Sequence, residues 1–387
     1  MPEVPAIAYI GHRDIVPLRC RRLDGIRRFA WSRSWRVETI SPDAMTDRKA
    51  LRARLAEMRA VGAVVECHQV PGLLPPSFFR RMPVVYFDPP DSVDWRGVAT
   101  VSCDEGAVAQ AAFRELSTGL PPSFAVVSHF PARWSKWARD RIAAFMAVCA
   151  GAGRPCAAFP ERRGEGEGGR HARLVSWAAA LPDHCAVFAI DDYCAAEVAR
   201  AFAAARRPIP KSATLLGADG AESAAGDASS QEISSVKIDF ELSGYLAARM
   251  LGEKIAGTAH AAPTFGPMMV ARGKSTRGHG RREQFVLEAV ETIRREACDG
   301  LTAASLIARF PVSKRLFNLR FREAMGHSPL DEIMQVRMEK VLSLLSGTDT
   351  PVGAIADMCG FGSAVELRQI FRARTGISMT EWRARRA

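Results

Sequence analysis

Paired cysteines are missing from this sequence. Its nine cysteines are odd in number, scattered and never spaced as CxxC, which argues against a disulfide framework and against a structural zinc site. Long apolar runs are missing too: none reaches the ~20 residues a membrane helix needs, and no charged-then-apolar signal pattern opens the chain. A cytoplasmic protein with no membrane partner is expected. HExxH, GxSxG and GxxxxGK[ST] do not occur, so neither an enzyme nor a bound cofactor is expected. One GxGxxG is formally present at Gly164, Gly166 and Gly169, between an expected strand (156–159) and an expected helix (170–181). Glu165 and Glu167 lie inside it and would repel a pyrophosphate, so ERRGEGEGGR reads as a flexible surface loop.

What is present is ordinary globular composition on a basic chain. The 387 residues suffice for two or three domains, with 48% apolar residues and a formal net charge of +11. That charge suits a polyanionic partner, but it is spread out: 18 basic and 13 acidic residues from Arg277 onward leave +5 there and +6 over the rest. Charge alone does not locate a nucleic-acid surface.

From the start, short apolar strand-like runs alternate with longer helical patterns: Ala6 to Ile10 before Arg19 to Trp31, Arg36 to Ile40 before Asp47 to Ala60, then Ala63 to Glu66. The alternation continues through Val84 to Phe87, the helix Glu105 to Leu116, the strand Phe124 to Ser128, the helix Ser135 to Ala150, the strand Ala186 to Ile190, the helix Tyr193 to Ala205, the strand Thr214 to Gly217 and the helix Phe240 to Ile255. Such a pattern predicts parallel sheet with crossover helices. Its length exceeds what one sheet usually carries, so two doubly wound α/β lobes are expected over residues 1–262. Residues 263–280, rich in Pro, Gly, Arg and Ser without an apolar period, read as a linker.

Residues 281–387 read as all-α with two helix-turn-helix units. Phe285, Val286, Val290 and Ile293 recur at helical spacing; Thr302 and Ser313 stand as N-caps of the first pair, whose core face is Phe317, Phe321 and Ala324. A long helix to Leu345 follows. In the second pair Val352, Ile355, Ala356 and Cys359 share one face, Gly360 makes the turn, and Ser363 with Glu366 forms a capping box before Leu367, Ile370 and Phe371. The outward faces then carry Lys314, Arg315 and Asn318 on one helix and Ala364, Val365, Arg368, Gln369 and Arg372 on the other, a set suited to a DNA major groove, with Ala364 and Val365 able to meet a thymine methyl. A solvated helix face is the blander reading of the same residues.

The run Ile355-Ala356, Cys359-Gly360-Phe361, Ser363, Leu367, Phe371, Gly376 and Trp382-Arg383 resembles the second helix-turn-helix of AraC/XylS transcription regulators. Leu367 and Met379 depart from that pattern, where Phe and Pro are usual. The first unit departs more, with Pro311 in place of a turn glycine and Leu319 in place of an arginine. Upstream, Tyr86-Phe87-Asp88 before Asp91, Val101 to Asp104, Arg141 to Phe145, Phe188 to Asp192, Gly217 to Asp219 and Ile233 to Asp239 resemble, in order and spacing, the periplasmic-binding-protein-like sensor of the LacI family. A LacI-like sensor on an AraC-type reader is the arrangement of xylose-operon activators. The resemblance implies a sequence-specific DNA-binding regulator, an activator controlled by a sugar or related small molecule. Its implied partners are double-stranded DNA, RNA polymerase and a second copy of the chain. The other possibility is a sensor that has lost its ligand and serves only dimerisation or protein interaction.

By resemblance Asp91, Arg141, Asp191 and Asp219 line the sensor cleft, with Asp192 the next candidate; a sugar also calls for an aromatic ring against its apolar face, which Trp134 or Trp137 could supply. Their plainer roles are helix caps for Asp191 and Asp192, a turn for Asp219, a surface charge for Arg141, and core or interface for the tryptophans.

Overall fold

The computed structural model describes the chain except residues 1–3, 12–16, 42–46, 68–73, 90–96, 119–120, 129–135, 161, 163–165, 221–232, 259–262, 277–283, 326, 349 and 385–387. The first lobe holds strands β1 (Ala6–Ile10), β2 (Arg36–Ile40), β3 (Ala60–Glu66), β4 (Val84–Phe87) and β5 (Ala99–Cys103), with helices α1 (Pro17–Ser32) and α2 (Arg48–Glu57). Beyond β5 come α3 (Glu105–Ser117), β6 (Phe124–Val127), α4 (Lys136–Gly151), β7 (Cys156–Ala158), α5 (Glu167–Ala180), β8 (Cys185–Ala189), α6 (Asp192–Ala204), β9 (Ala213–Asp219), β10 (Ser234–Ile238) and α7 (Phe240–Ile255). Two more strands, β11 (Thr264–Phe265) and β12 (Pro267–Ala271), close the sensor.

Two sheets result, ordered β11-β5-β4-β3-β1-β2 and β12-β10-β9-β8-β6-β7. All pairings are parallel except β10 with β12. The strands β1, β4, β6 and β8 are buried along their whole length, as expected where helices cover both faces of a parallel sheet. The chain crosses between lobes three times, at β5 to α3, β10 to α7 and β11 to β12. Where it crosses, Asp104 N donates to Phe265 O at 2.7 Å and Asp239 N to Gly266 O at 3.0 Å, which ties the crossings into one hinge. Helix α7 returns to lobe 1 and lies tightly on α1: a Cβ added at Gly25 would stand 1.9 Å from Glu241 O, and one at Gly244 1.9 Å from Arg22 O.

Three expectations need correction. Residues 264–271, inside the expected linker, are strands β11 and β12, one in each sheet. The end of the acidic glycine run is helical, because α5 begins at Glu167 with Gly166 as its N-cap; residues 161 and 163–165 of the run lie outside the described residues. Ala60, expected to end a helix, starts β3.

The reader comprises α8 (Gln284–Glu296), α9 (Ala303–Ile307), α10 (Lys314–Met325), α11 (Pro329–Gly347), α12 (Val352–Met358), α13 (Ala364–Thr375) and α14 (Met379–Ala384). It has two small cores, one around Val286, Ile293, Leu306, Phe317 and Phe321, the other around Val341, Ile355, Cys359, Leu367 and Phe371. Helix α11 feeds both. Its Arg337 donates to Ala297 O at 2.8 Å and Leu301 O at 3.0 Å, fastening the end of α8 to the long helix. The turn at Gly360 has φ of +72°, and a Cβ there would meet Cys298 O at 2.8 Å, so both conformation and space require glycine.

Candidate effector cleft and DNA-reading surface

The cleft is built at the carboxyl ends of the strands, where apolar side chains give way to charge. In lobe 2 the guanidinium of Arg141, on α4, is 3% exposed and commits four of its five N–H groups within the protein. Its Nε and Nη2 donate to the two carboxylate oxygens of Glu105 at 2.5 and 3.2 Å; Nη1 donates to Asp219 Oδ1 at 2.9 Å and to Ile190 O at 2.6 Å. Trp137 lies 5.0 Å from the guanidinium carbon. The surface-charge reading of Arg141 is therefore wrong, since its guanidinium is buried among Glu105, Asp219, Ile190 O and Trp137. Asp219 holds φ of +92°, a strained value for a residue with a side chain, and the bond to Arg141 helps to hold it.

Asp191 sits beside Asp219 and caps α6, its Oδ1 accepting from Cys194 N at 2.8 Å. Burial, with Asp219 next, pushes its carboxyl up to about 7, while the cap and Arg141 pull the other way. Asp192 is buried with its Oδ1 against Gly217, where a Cβ would come within 2.2 Å. Burial likewise raises Glu105, although Arg141 opposes it. Asp239, capping α7 at the hinge, is raised to about 6 by burial.

The titration of Asp191 gives a prediction with a definite sign. Its folded value of about 7 stands above the ordinary 3.8, so between those values the folded state holds the extra proton. Stability is then present below about pH 4 and lost as pH rises through 7. Asp191→Asn keeps the cap and cannot ionise, so its stability advantage should grow from near zero at pH 4 to roughly 1 to 3 kcal/mol at pH 8. Urea unfolding of both proteins at the two pH values checks this; a pH-independent difference refutes it.

Lobe 1 mirrors this arrangement, and sequence reasoning missed it. Arg22, on the first helix of lobe 1 as Arg141 is on the first long helix after β6, donates to Asp88 Oδ2 at 3.0 Å and approaches Glu66 Oε1 at 3.4 Å. Tyr9 Oη donates to Glu66 at 2.5 Å, and the Phe87 ring lies 4.4 Å from the Arg22 guanidinium carbon. Asp88 and Asp219 end equivalent strands, β4 and β9, and both take positive φ. The shared strand order of the two sheets is the signal that pairs Arg22 and Asp88 with Arg141 and Asp219. Glu105 was missed as well. Of the expected cleft residues, Arg141, Asp191 and Asp219 come together, Asp192 is buried behind them, and Asp91 and Trp134 lie outside the described residues.

On the reader, Ser313 Oγ accepts from Leu316 N at 3.2 Å to start α10. Ser363 Oγ accepts from Glu366 N at 3.1 Å, and the Glu366 carboxylate accepts from Gly362 N at 2.8 Å, a box closed one residue earlier than expected. Lys314, Arg315, Val365, Arg368, Gln369 and Arg372 are exposed. Two expected contacts change. Ala364 is half-buried and packs on the second core, because it begins the face that carries Leu367 and Phe371. Asn318 is half-buried and spends its amide on Lys314 O at 2.9 Å. Leu316 and Leu319 stay 40% and 52% exposed. The core placement of Ala324 lies outside the described side chains.

Known protein families match part of the sensor and part of the reader. A periplasmic binding protein-like domain matches residues 121–276 and a helix-turn-helix domain matches 306–385. The Xylose operon regulatory protein of Escherichia coli K12 is 24% identical over 290 residues, 73% of each chain. The chain is homologous to the xylose operon regulators. With a two-lobed, LacI-like sensor followed by an AraC-type helix-turn-helix reader, it is a DNA-binding transcription regulator. The solved xylose-binding transcription activator xylR aligns over 99% of this chain and 98% of its own, with TM-score 0.59 at 19% identity. The transcriptional regulator CelR in complex with cellobiose aligns over 71% of this chain and 86% of its own, with TM-score 0.57 at 18% identity. Among the described residues no helix is long and apolar enough to cross a membrane.

Proposed function

We propose that this chain is a cytoplasmic transcription activator controlled by a neutral sugar, without catalytic activity, binding DNA as a homodimer and engaging RNA polymerase. The observation that carries the sugar reading is the buried Arg141–Asp219 pair at the mouth of lobe 2, facing its counterpart Arg22–Asp88 across the hinge. Such fixed donors and acceptors suit a polyhydroxy ligand, whose hydroxyls both donate and accept. Two guanidiniums face five carboxyl groups, Glu66, Asp88, Glu105, Asp191 and Asp219, so the cleft repels a second anion and favours a neutral aldose over a uronic acid. Ligand between the lobes would close them about the hinge and shift the populations of two reader geometries.

Thermal unfolding of the full chain with D-xylose, other aldopentoses, hexoses and glucuronate tests this reading. A neutral sugar at 100 times its dissociation constant should add about 2.7 kcal/mol, with glucuronate inert. If no neutral sugar stabilises the chain, the sensor serves dimerisation or protein interaction instead.

A further inference from the structure

Helix α3 runs from the cleft to the reader and carries a buried carboxylate at each end. Its first residue, Glu105, grips Arg141 in the cleft. In its last turn Glu115, 3% exposed at the side chain, accepts from Arg272 Nε and Arg294 Nη2, both at 2.9 Å on Oε2. Thr276 Oγ1 donates to the other oxygen at 3.2 Å. Arg272 and Thr276 belong to the end of the sensor; Arg294 belongs to α8, the first helix of the reader. One carboxylate thus joins the two domains.

The sensor side of this joint is fixed. Ser234 Oγ lies 2.8 Å from Thr276 Oγ1 and accepts from Gly273 N at 2.9 Å, while Ser275 Oγ donates to Leu215 O at 2.6 Å. These bonds pin residues 273–276 to β9 and β10. Arg272 also reaches Glu339 of α11 at 3.9 Å. The reader side has less support: burial and the neighbouring Arg272 work against the charge on Arg294, and Glu115 is the chief group favouring it. A shift of Glu115 therefore changes the hold on α8 before anything else.

Between its two carboxylates α3 is stiff. Asp104 caps it, accepting from Ala107 N at 2.8 Å, and Val108, Ala109, Ala112, Phe113 and Leu116 are buried in the core. Ten residues of helix span ~15 Å. The cap residue is itself bonded to Phe265 O at the hinge, so rotation of the lobes acts on the N-terminal end of the same rod.

We propose that α3 is a relay in which the state of the cleft, felt at Glu105, is passed to the reader as the hold of Glu115 on Arg294, making Glu115 the residue through which the sensor sets the position of α8. The biological input rests on the effector reading above, whereas the test needs no ligand. Dissociation constants of the full chain for a duplex selected in vitro by that chain are measured at fixed salt for the parent, Glu105→Gln, Glu115→Gln and the double variant. Glu105→Gln, which loosens Arg141, should move the parent's affinity fivefold or more, the lower range for coupled sites. In the Glu115→Gln background the same change should move it less than twofold. Equal factors in both backgrounds, or no effect of Glu105→Gln in the parent, overturn the relay.

Hydrogen exchange supplies the structural control. Glu115→Gln should speed exchange across α8 and leave the strands of lobe 2 protected; unchanged exchange in α8 overturns the proposal. Should Glu115→Gln instead unprotect those strands, Arg294→Gln, which cuts the joint from the reader side, must show the same loss of coupling, and retained coupling in that variant overturns it. A chain that binds no sugar leaves all four affinities measurable, so the relay and the sugar reading can fail separately.

Discussion

Arg141→Met should remove all sugar-dependent stabilisation and lower the stability of the full chain by about 3 to 5 kcal/mol, the range for breaking a buried ion pair from one side. Glu105 and Asp219 lose their common partner at 2.5 and 2.9 Å, and Glu105 is already raised by burial. Without the guanidinium the Glu105 carboxyl moves further up, so the folded variant holds a proton that its unfolded chain releases. The deficit should therefore be small near pH 5 and full near pH 8, since stability held by a raised acid is lost as pH rises through its folded value. The double variant Arg141→Met/Glu105→Gln removes most of the stranded charge and should recover most of the stability without recovering a sugar response. Urea unfolding at the two pH values, with thermal shift against D-xylose and the other aldoses, checks each of these outcomes. A single variant as stable as the parent at pH 8, or still responsive to a sugar that stabilises the parent, would sink the assignment of Arg141 to the cleft.

The sensor fold was legible because strands covered on both faces read as unbroken apolar runs between helices of distinct period, as β6 and β8 do. Its edges were less so. Strands β11 and β12 have two and five residues, and what makes them strands is a pairing with β5 and β10, some 160 and 30 residues away in sequence; nothing in their own composition shows it. The same distinction sorts the site. Asp191 and Asp219 were placed by the resemblance of the phrases that hold them to the LacI-like sensor, whereas Arg22, Glu66 and Glu105 are given their meaning by partners 36 to 66 residues distant. In the reader the deciding interactions are local, three or four residues apart, so the caps at Thr302, Ser313, Ser328 and Ser363 fall where the sequence placed them or where a helix start made them natural. Ala364 misled because one position of helix register separates the outward face from the core.

Arg368→Ala should weaken binding to the preferred duplex by about 1 to 3 kcal/mol and relax base choice at one position, the loss expected when a bidentate contact to a base is removed. Helix α13 is anchored by its cap and by buried Leu367 and Phe371, so Arg368, Gln369 and Arg372 project from a fixed platform. None of the three makes an ion pair with the described residues, which leaves their donors for guanine and adenine edges. The outward face of α10 is poorer. Leu316 and Leu319 are exposed on it, the Asn318 amide is turned back on Lys314 O, and Pro311, with φ held near −65°, sends the preceding turn along a path a glycine need not follow. Its remaining charges, Lys314 and Arg315, suit phosphates, which position a protein without reading sequence. The 19 residues of α11 give a rod of ~28 Å between α10 and α13, of the same order as the ~34 Å that separates successive major grooves on one face of the duplex. Arg315→Ala should accordingly weaken binding to all sequences by a smaller, uniform amount and lower the slope of log affinity against log salt by about one. Isotherms for both variants on the preferred duplex and on its single-base changes, at several fixed salt concentrations, separate the roles. An Arg315 variant that loses base preference while the Arg368 variant keeps it would assign the reading to α10 and the anchoring to α13.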